Sequence, residues 1–466
     1  MKLYEQLADN IAERVRDGSL ATGQRVPSVR QLSADRGVSP ASVMRAYELL
    51  ESRGFIEARP RSGYYVSPLW RSRAGAPRVS RPSLRSTHLD VSELVFEVIE
   101  AMRAPDVVPL GSAFLSPTLF PLASLGKHLG AAGRALEARD FAQDLAPGSL
   151  DLRRQIAQRY LRAGAQVSPE EIVITSGAME ALNISMQALT RPGDLVAIES
   201  PAFYGCLQTI EALGLRAIEV PTHARDGVDL GALASLLDKH PIRVCWFMTT
   251  FQNPLGALMS DDARKELVRL LARHEVPLIE DNVYAELYFG DRRPRSSKSF
   301  DRSGGVLDCG SFSKSLAPGY RVGWVAAGRY AQAVARRKFM STITTSIPTQ
   351  MAIAAYLRQG AFDRHLKSLR RLLARQQAAA LAALERHLPR GYNVTRPAGG
   401  YFLWIELPES VDAIAVFRRA LAGGVSIAPG PIFSARRQFR NCLRLNCGYP
   451  WTAGFDRAVQ KIGASI

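Results

Sequence analysis

Along its first fifty residues the chain spaces its apolar side chains at three- and four-residue steps. Tyr4, Leu7, Ile11 and Val15 form one such stripe, with Gly18 behind it, so the spacing predicts an amphipathic helix with one buried face. A shorter helix opens at Pro27-Ser28, runs through Val29, Leu32 and Ala34, and ends at Gly37. A third opens at Ser39-Pro40, a capping residue followed by proline at the first helical position. Its apolar face is Val43, Ala46, Leu49 and Leu50, which turns Ala41, Ser42 and Arg45 outward. After Gly54 the spacing changes to two strand-like runs, 55–59 and 64–66, with Arg61-Ser62-Gly63 between them, the pattern of a hairpin.

Two short helices around a glycine turn, followed by a hairpin, predict a winged helix-turn-helix unit over residues 1–69. Ser28, Arg30, Ser39, Ala41, Ser42 and Arg45 are its candidates for phosphate and base contacts in a major groove, and Arg61, Ser62 and Gly63 form the tip of the wing. Residues 70–90 change to Arg, Ser, Pro, Gly and Ala, with Arg71, Arg73, Arg78, Arg81 and Arg85 and no acid before Asp90. This reads as a basic flexible linker, which extended at about 3.1 Å per residue would span roughly 60 Å and could carry the small unit to a partner subunit. From 91 to 466 short apolar runs alternate with helical stretches, which predicts an α/β unit with a mostly parallel sheet. Strands are expected at 172–175, 195–198, 244–248, 278–280, 325–327 and 401–405, and a long helix at 362–388.

Composition changes this picture in three places. With 466 residues, 47% of them hydrophobic, the chain has material for two or three folded units. A formal charge of +17 suits a polyanion partner. The five cysteines are odd in number, none in the close spacing of a zinc or redox motif. With a polar, early-acidic N-terminus and no apolar run of membrane-spanning length, the expectation is a cytoplasmic protein without metal or membrane contacts.

The candidate chemistry lies between Ser311 and Trp324, where Lys314 stands among the hydroxyls of Ser311, Ser313 and Ser315, and Pro318-Gly319 leads to Arg321. An amine beside hydroxyls and a guanidinium suits a phosphorylated aldehyde: the amine forms an imine and the others hold the phosphate. Other predicted strand ends bring complementary groups. Ser176-Gly177-Ala178 opens a helix after one strand and offers backbone N–H groups to a phosphate. Phe203 follows another and could lie flat on a ring. Asn253 precedes Pro254, and Asp281 ends a strand where a carboxylate could protonate a pyridine nitrogen. Each has an ordinary reading as cap, turn or core, but together they match what pyridoxal 5′-phosphate requires.

Residues 3–67 resemble the winged-helix domain of GntR-type bacterial regulators, through Pro27-Ser28-Val29-Arg30-Gln31-Leu32-Ser33, Ala46-Tyr47-Glu48-Leu49-Leu50 and Ser62-Gly63-Tyr64-Tyr65-Val66. Pro40 stands where that family often has arginine. From about 111 to 449 the chain resembles the fold-type I, class I/II aminotransferases, which implies a mostly parallel sheet plus a smaller α+β subdomain. By that resemblance Lys314 is the Schiff-base lysine, and Ser311, Ser313, Arg321, Ser176, Gly177 and Ala178 hold the phosphate. Asp281 pairs with the ring nitrogen, Asn253 and Tyr284 with O3′, and Phe203 stacks where many relatives carry tyrosine. Arg444, in the run Asn441-Cys442-Leu443-Arg444-Leu445-Asn446, clamps a substrate or effector carboxylate.

The two halves together resemble the MocR/GabR subgroup of GntR regulators. That resemblance implies a pyridoxal-phosphate-dependent, DNA-binding transcriptional regulator that senses the cofactor or an amino acid or amine through an internal or external aldimine at Lys314. It also implies a homodimer on double-stranded operator DNA. The alternative is a catalytically active aminotransferase, converting an amino acid to a 2-oxo acid, that carries a DNA-binding unit.

Overall fold

The computed structural model describes residues 3–466 except 22, 53, 60–61, 68–73, 88, 90, 102–103, 105 and 138–144. Three helices, α1 (Leu3–Arg16), α2 (Val29–Arg36) and α3 (Pro40–Ser52), pack beneath a hairpin of β1 (Ile56–Arg59) and β2 (Gly63–Val66). The apolar stripe of α1 is buried as its spacing requires: Leu7, Ile11 and Val15 meet Leu32, Val43, Ala46, Leu50, Ile56 and Val66 in one core. The hydroxyl of Tyr47 is satisfied inside that core by the carbonyl of Pro27 at 2.6 Å. Ser28 caps α2 by accepting from the Gln31 N–H, and Gly37 ends it in the left-handed conformation at φ 62°.

The larger part is built on a sheet in the order β3 (Ile172–Thr175), β10 (Gly323–Ala326), β9 (Val306–Ser311), β8 (Leu278–Asp281), β7 (Ile242–Phe247), β4 (Leu195–Ser200), β5 (Arg216–His223) and β6 (Gly227–Val228). Strands β9, β8, β7, β4 and β5 run parallel, β10 is antiparallel to both its neighbours, and β6 returns antiparallel on β5. Helices cover the sheet, so β3, β4, β8 and β9 are buried at every position. That is why β3 and the first four residues of β4 read as unbroken runs and not as alternating ones. A second, antiparallel sheet has the order β11 (Asn393–Val394), β12 (Phe402–Glu406), β14 (Cys442–Asn446) and β13 (Ala428–Pro429). Its core is separate from the cores of the large sheet.

One expectation is corrected. The described part of the linker is not free chain. The carbonyl of Gly75 accepts from the Val394 N–H at 3.0 Å, and Thr87 exchanges both backbone hydrogen bonds with Ala217 on β5. Ser80 and Pro82 are buried between these points. Its serines and prolines pack because acceptors and donors far away in sequence receive them.

Candidate functional site

Strand ends of the large sheet deliver the site. Lys314 lies just beyond β9, and its Nζ donates to the carbonyl of Ala113 at 2.8 Å while sitting 4.5 Å from the centre of the Phe114 ring. Burial, together with the cations of Arg444 and Arg321, lowers its amine to about 8, against the opposing pull of Asp281. The amine is therefore partly neutral near pH 8, the form that attacks a carbonyl. Asp281 closes β8. Burial raises its carboxyl to about 7, Asp308 and Glu280 add to the shift, and the Val283 N–H and Lys314 oppose it. Its Oδ1 is buried without a hydrogen-bond partner among the described residues. A buried carboxyl left incomplete in this way is costly unless something else supplies the missing donor.

A cradle forms at the start of the helix Ala178–Leu189. Gly177 takes φ 88°, and a Cβ there would stand 2.5 Å from Nη2 of Arg321, so only glycine lets the guanidinium come this close. Arg321 itself is left-handed at φ 51° and donates to Ser313 Oγ at 3.3 Å and to the carbonyl of Ser176 at 3.4 Å. Ser311 Oγ donates to Ser313 Oγ and accepts from the Ser313 N–H, both at 3.0 Å. The Ser176 N–H is taken by Glu180, and its hydroxyl lies 3.5 Å from that of Thr345. Thr345 had no signal in the sequence, because it stands over 160 residues from Ser176 in an irregular segment.

The third wall comes from the small sheet. Arg444 on β14 is fully buried, between the rings of Phe402 and Phe433 at 4.3 and 5.1 Å. It donates through Nη1 to Asn253 Oδ1 at 2.9 Å and through Nη2 to the carbonyl of Gly111 at 2.6 Å. Its Nε and the Nδ2 of Asn253 are buried with no partner among the described residues. Burial lowers the guanidinium from its usual range, an effect offset by Tyr204, Tyr284 and Tyr401. Tyr284 is buried, edge-on to Tyr401 at 5.5 Å. Phe203 is partly buried, tilted against Tyr204 at 4.8 Å.

The loop 111–117 closes this space. Besides Lys314 and Arg444, Tyr401 and Asn446 also hold its carbonyls: Tyr401 OH donates to Ala113 O at 2.9 Å, and Asn446 Nδ2 donates to Phe114 O at 2.7 Å. The loop carries no charged residue to mark it. Three orphaned buried groups, a guanidinium cradle that a Cβ would fill, and a softened amine make up a donor set that fits pyridoxal phosphate and an attached carboxylate.

The winged helix is a different kind of surface. Arg30, Ala41 and Arg45 are exposed. Ser28 and Ser39 act first as helix caps, Ser39 Oγ accepting from the Ser42 N–H at 3.2 Å. Ser62 Oγ lies 2.6 Å from Tyr65 OH, and Gly63 takes φ 104°. Arg61 lies outside the described residues. Arg25, which the sequence reading passed over, sits beside Gly63 and bridges to Tyr65. Ala41 and Arg45 also line a cavity of about 1200 Å³ that is faced by Lys367, Arg371 and Arg396 of the large part.

The fold and the site define a pyridoxal-phosphate-type aminotransferase body joined to a winged helix. Residues 124–462 match the family of class I and II aminotransferases, and residues 3–66 match the gntR family of bacterial regulatory proteins. Over 466 residues the chain is 45% identical to the uncharacterized HTH-type transcriptional regulator YdcR of Escherichia coli, covering 100% of this chain and 99% of that one. Identity to the E. coli regulator YjiR is 36%, with the same coverage. The crystal structure of LysN, an alpha-aminoadipate aminotransferase of Thermus thermophilus complexed with N-(5′-phosphopyridoxyl)-L-leucine, superposes with a TM-score of 0.72 at 31% identity. The superposition covers 81% of this chain and 98% of that one. The chain belongs to the GntR-type HTH transcriptional regulators that carry a class I/II aminotransferase domain.

Proposed function

We propose that the protein is a DNA-binding transcriptional regulator that reads pyridoxal phosphate and an amino acid through the site around Lys314. One observation carries the reading: a winged helix and a buried amine, carboxyl and guanidinium set, incomplete without a ligand, occur in one chain. Bound there, pyridoxal phosphate supplies an aldehyde that condenses with primary amines. Lys314 offers the amine, Arg321, Ser311, Ser313 and the start of the helix at Ala178 hold the phosphate, and Asp281 keeps a proton on the ring nitrogen. Asn253 and Tyr284 serve O3′, Phe203 lies on the ring, and Arg444 takes the carboxylate. In this reading residues 1–69 bind DNA, 70–90 connect, and 91–466 bind the small molecules in the cytoplasm.

A homodimer fits the exposed side chains of Phe339, Met340 and Ile343, which crowd five residues of surface close in sequence to Thr345. Apolar groups gathered this way suit a second copy.

The test is DNA binding by the loaded protein to the region upstream of its own gene at near-physiological salt, with and without a panel of amino acids. Affinity that changes with one of them supports the reading; no specific binding in any ligand state sinks it. The presence of Lys314, Asp281 and Arg444 together favours transamination as the second reading. Sustained 2-oxo acid formation over many turnovers would establish it, and a single half-reaction that stops would reject it.

A further inference from the structure

The site draws on both sheets. Lys314 and Asp281 come from the ends of β9 and β8 of the large sheet, whereas Arg444 comes from β14 of the small one. A ligand that joins the phosphate cradle to Arg444 therefore fixes one sheet relative to the other. Residues 75–87 do the same from outside. On the small sheet, Gly75 is bonded to Val394, the Arg78 N–H donates to Glu406 Oε2 at 3.0 Å, and Arg78 Nη1 donates to Glu409 Oε1 at 2.6 Å. Glu406 is on β12, hydrogen-bonded directly to β14, with Trp404 opposite Arg444 in the register. On the large sheet, buried Ser80 accepts from the Thr222 N–H at 2.9 Å, and Thr87 pairs with Ala217, both positions on β5. The crossing from one sheet to the other takes place between Arg78 and Ser80.

We propose that residues 75–87 are a strap that transmits the relative placement of the two sheets to the winged helix, resting on the functional reading given above. An amino acid held at Arg444 and at the cofactor favours one placement of the sheets. The strap, fastened to both, changes its path, and the winged helix at its N-terminal end follows. Pyridoxal phosphate alone, held only by the large sheet, leaves the strap where it is. Coupling of this kind demands that the ligand bind one arrangement better than the other, and it is reciprocal: DNA must tighten the ligand by the factor by which the ligand tightens DNA.

The probe is N-(5′-phosphopyridoxyl)-L-leucine, which spans both halves of the site and does not turn over. The full-length protein is compared loaded with pyridoxal phosphate and loaded with the conjugate, as wild type and as the double variant Arg78→Glu, Ser80→Ala, which sets like charges against Glu406 and Glu409 and removes the acceptor of Thr222. In the wild type, DNA affinity changes by about 5-fold or more between the two loads. Hydrogen exchange changes at the amides of Arg78, Thr87, Ala217 and Thr222, none of which belongs to the site. In the double variant the cofactor absorbance and the conjugate affinity in the absence of DNA are retained, but the DNA-affinity ratio falls to within about 2-fold of unity. A ratio that persists at full size in that variant, or strap amides that ignore the conjugate, overturns the relay and leaves the regulator reading intact. A wild-type ratio of one with the conjugate bound overturns the reading beneath it, and the strap with it.

Discussion

The winged helix and the aminotransferase body present their chemistry in opposite ways. In the winged helix Arg30 and Arg45 are solvated, and Ser28 and Ser39 are satisfied by backbone N–H groups of their own helices. In the body, Asp281 Oδ1, Asn253 Nδ2 and Arg444 Nε are buried and unpaired among the described residues. The first surface is complete before its ligand arrives, and a polyanion adds contacts to it. The second is unfinished, and a ligand relieves groups that are costly to bury. Loss of a side chain should therefore be graded and salt-dependent in one unit, and severe and salt-independent in the other.

The widest separation comes from Lys314→Ala. The imine absorbance band of the loaded protein should vanish completely, while specific DNA binding by the ligand-free protein remains within about 2-fold of wild type, because the contacts of Lys314 are to Ala113 and Phe114 and not to the winged helix. An unchanged spectrum in the variant would remove Lys314 from its assigned role. The same amine gives a pH test. An ordinary lysine is protonated until about pH 10.4, whereas this one is lowered to about 8. The neutral fraction of a base grows as pH rises through its pKa, so capture of pyridoxal phosphate by the apo-protein should rise from about pH 6, pass its midpoint near 8 and level off above about 9. A rate still climbing at about pH 9.5 would mean that burial and the neighbouring guanidinium groups do not act on Lys314.

Asp281→Ala is next in size. Removing the acceptor of a charged hydrogen bond costs about 1.5–3 kcal/mol, roughly 10- to 100-fold in cofactor affinity, and salt should not change the factor. Asp281→Asn separates shape from charge: it keeps the volume yet cannot hold the proton on a ring nitrogen, so a wild-type affinity in Asp281→Asn would show that the carboxylate is not needed.

Much of the winged helix was legible because its signals are local. Ser28, Gly37 and Pro40 speak to residues within one helical turn, and the stripe of Leu7, Ile11 and Val15 has the helical period. The strands carrying the site were legible where they are purely apolar, as in 172–175 and 195–198. Two were not. In β9 the buried Asp308 interrupts the run, and only the folded chain supplies Asn282 beside it at 3.2 Å. In β5, Glu219 and Pro221 disguise a strand whose carboxylate meets Ser200, Ser434 and the Ala435 N–H. The misread linker has the same cause, since nothing close in sequence to Arg78 announces Glu406 or Glu409. Lys314 escaped this limit because the serines and Arg321 that surround it lie in the same short stretch.

On the winged-helix side the largest expected effect is at Arg45, an exposed residue of the reading helix. Arg45→Ala should weaken operator binding by about 10-fold or more if it reads a base. If it neutralises a phosphate, the loss should be uniform over sequences and the salt slope should fall by about one. Cofactor absorbance should not respond in either case. Arg30→Ala should follow the phosphate pattern. A salt-independent loss at either position would erase the contrast between the two units.

The smallest effect tests whether local satisfaction is what holds the winged helix in shape. Ser28 is exposed, yet its hydroxyl accepts the Gln31 N–H at 3.2 Å at the start of a helix of only eight residues. In so short a helix, most of the terminal N–H and C=O groups have no partner within it, so one cap is a large share of its support. Ser28→Ala should cost about 1 kcal/mol, seen as a roughly 5-fold faster hydrogen exchange in α2, while exchange in the helix Ala178–Leu189 stays as it was. Ser28→Asp should retain the cap and restore slow exchange. It should also weaken DNA binding, because a carboxylate at the helix start repels phosphate. Slow exchange together with weakened binding would place Ser28 at the DNA as well as at the cap. Slow exchange with unchanged binding would confine it to the cap.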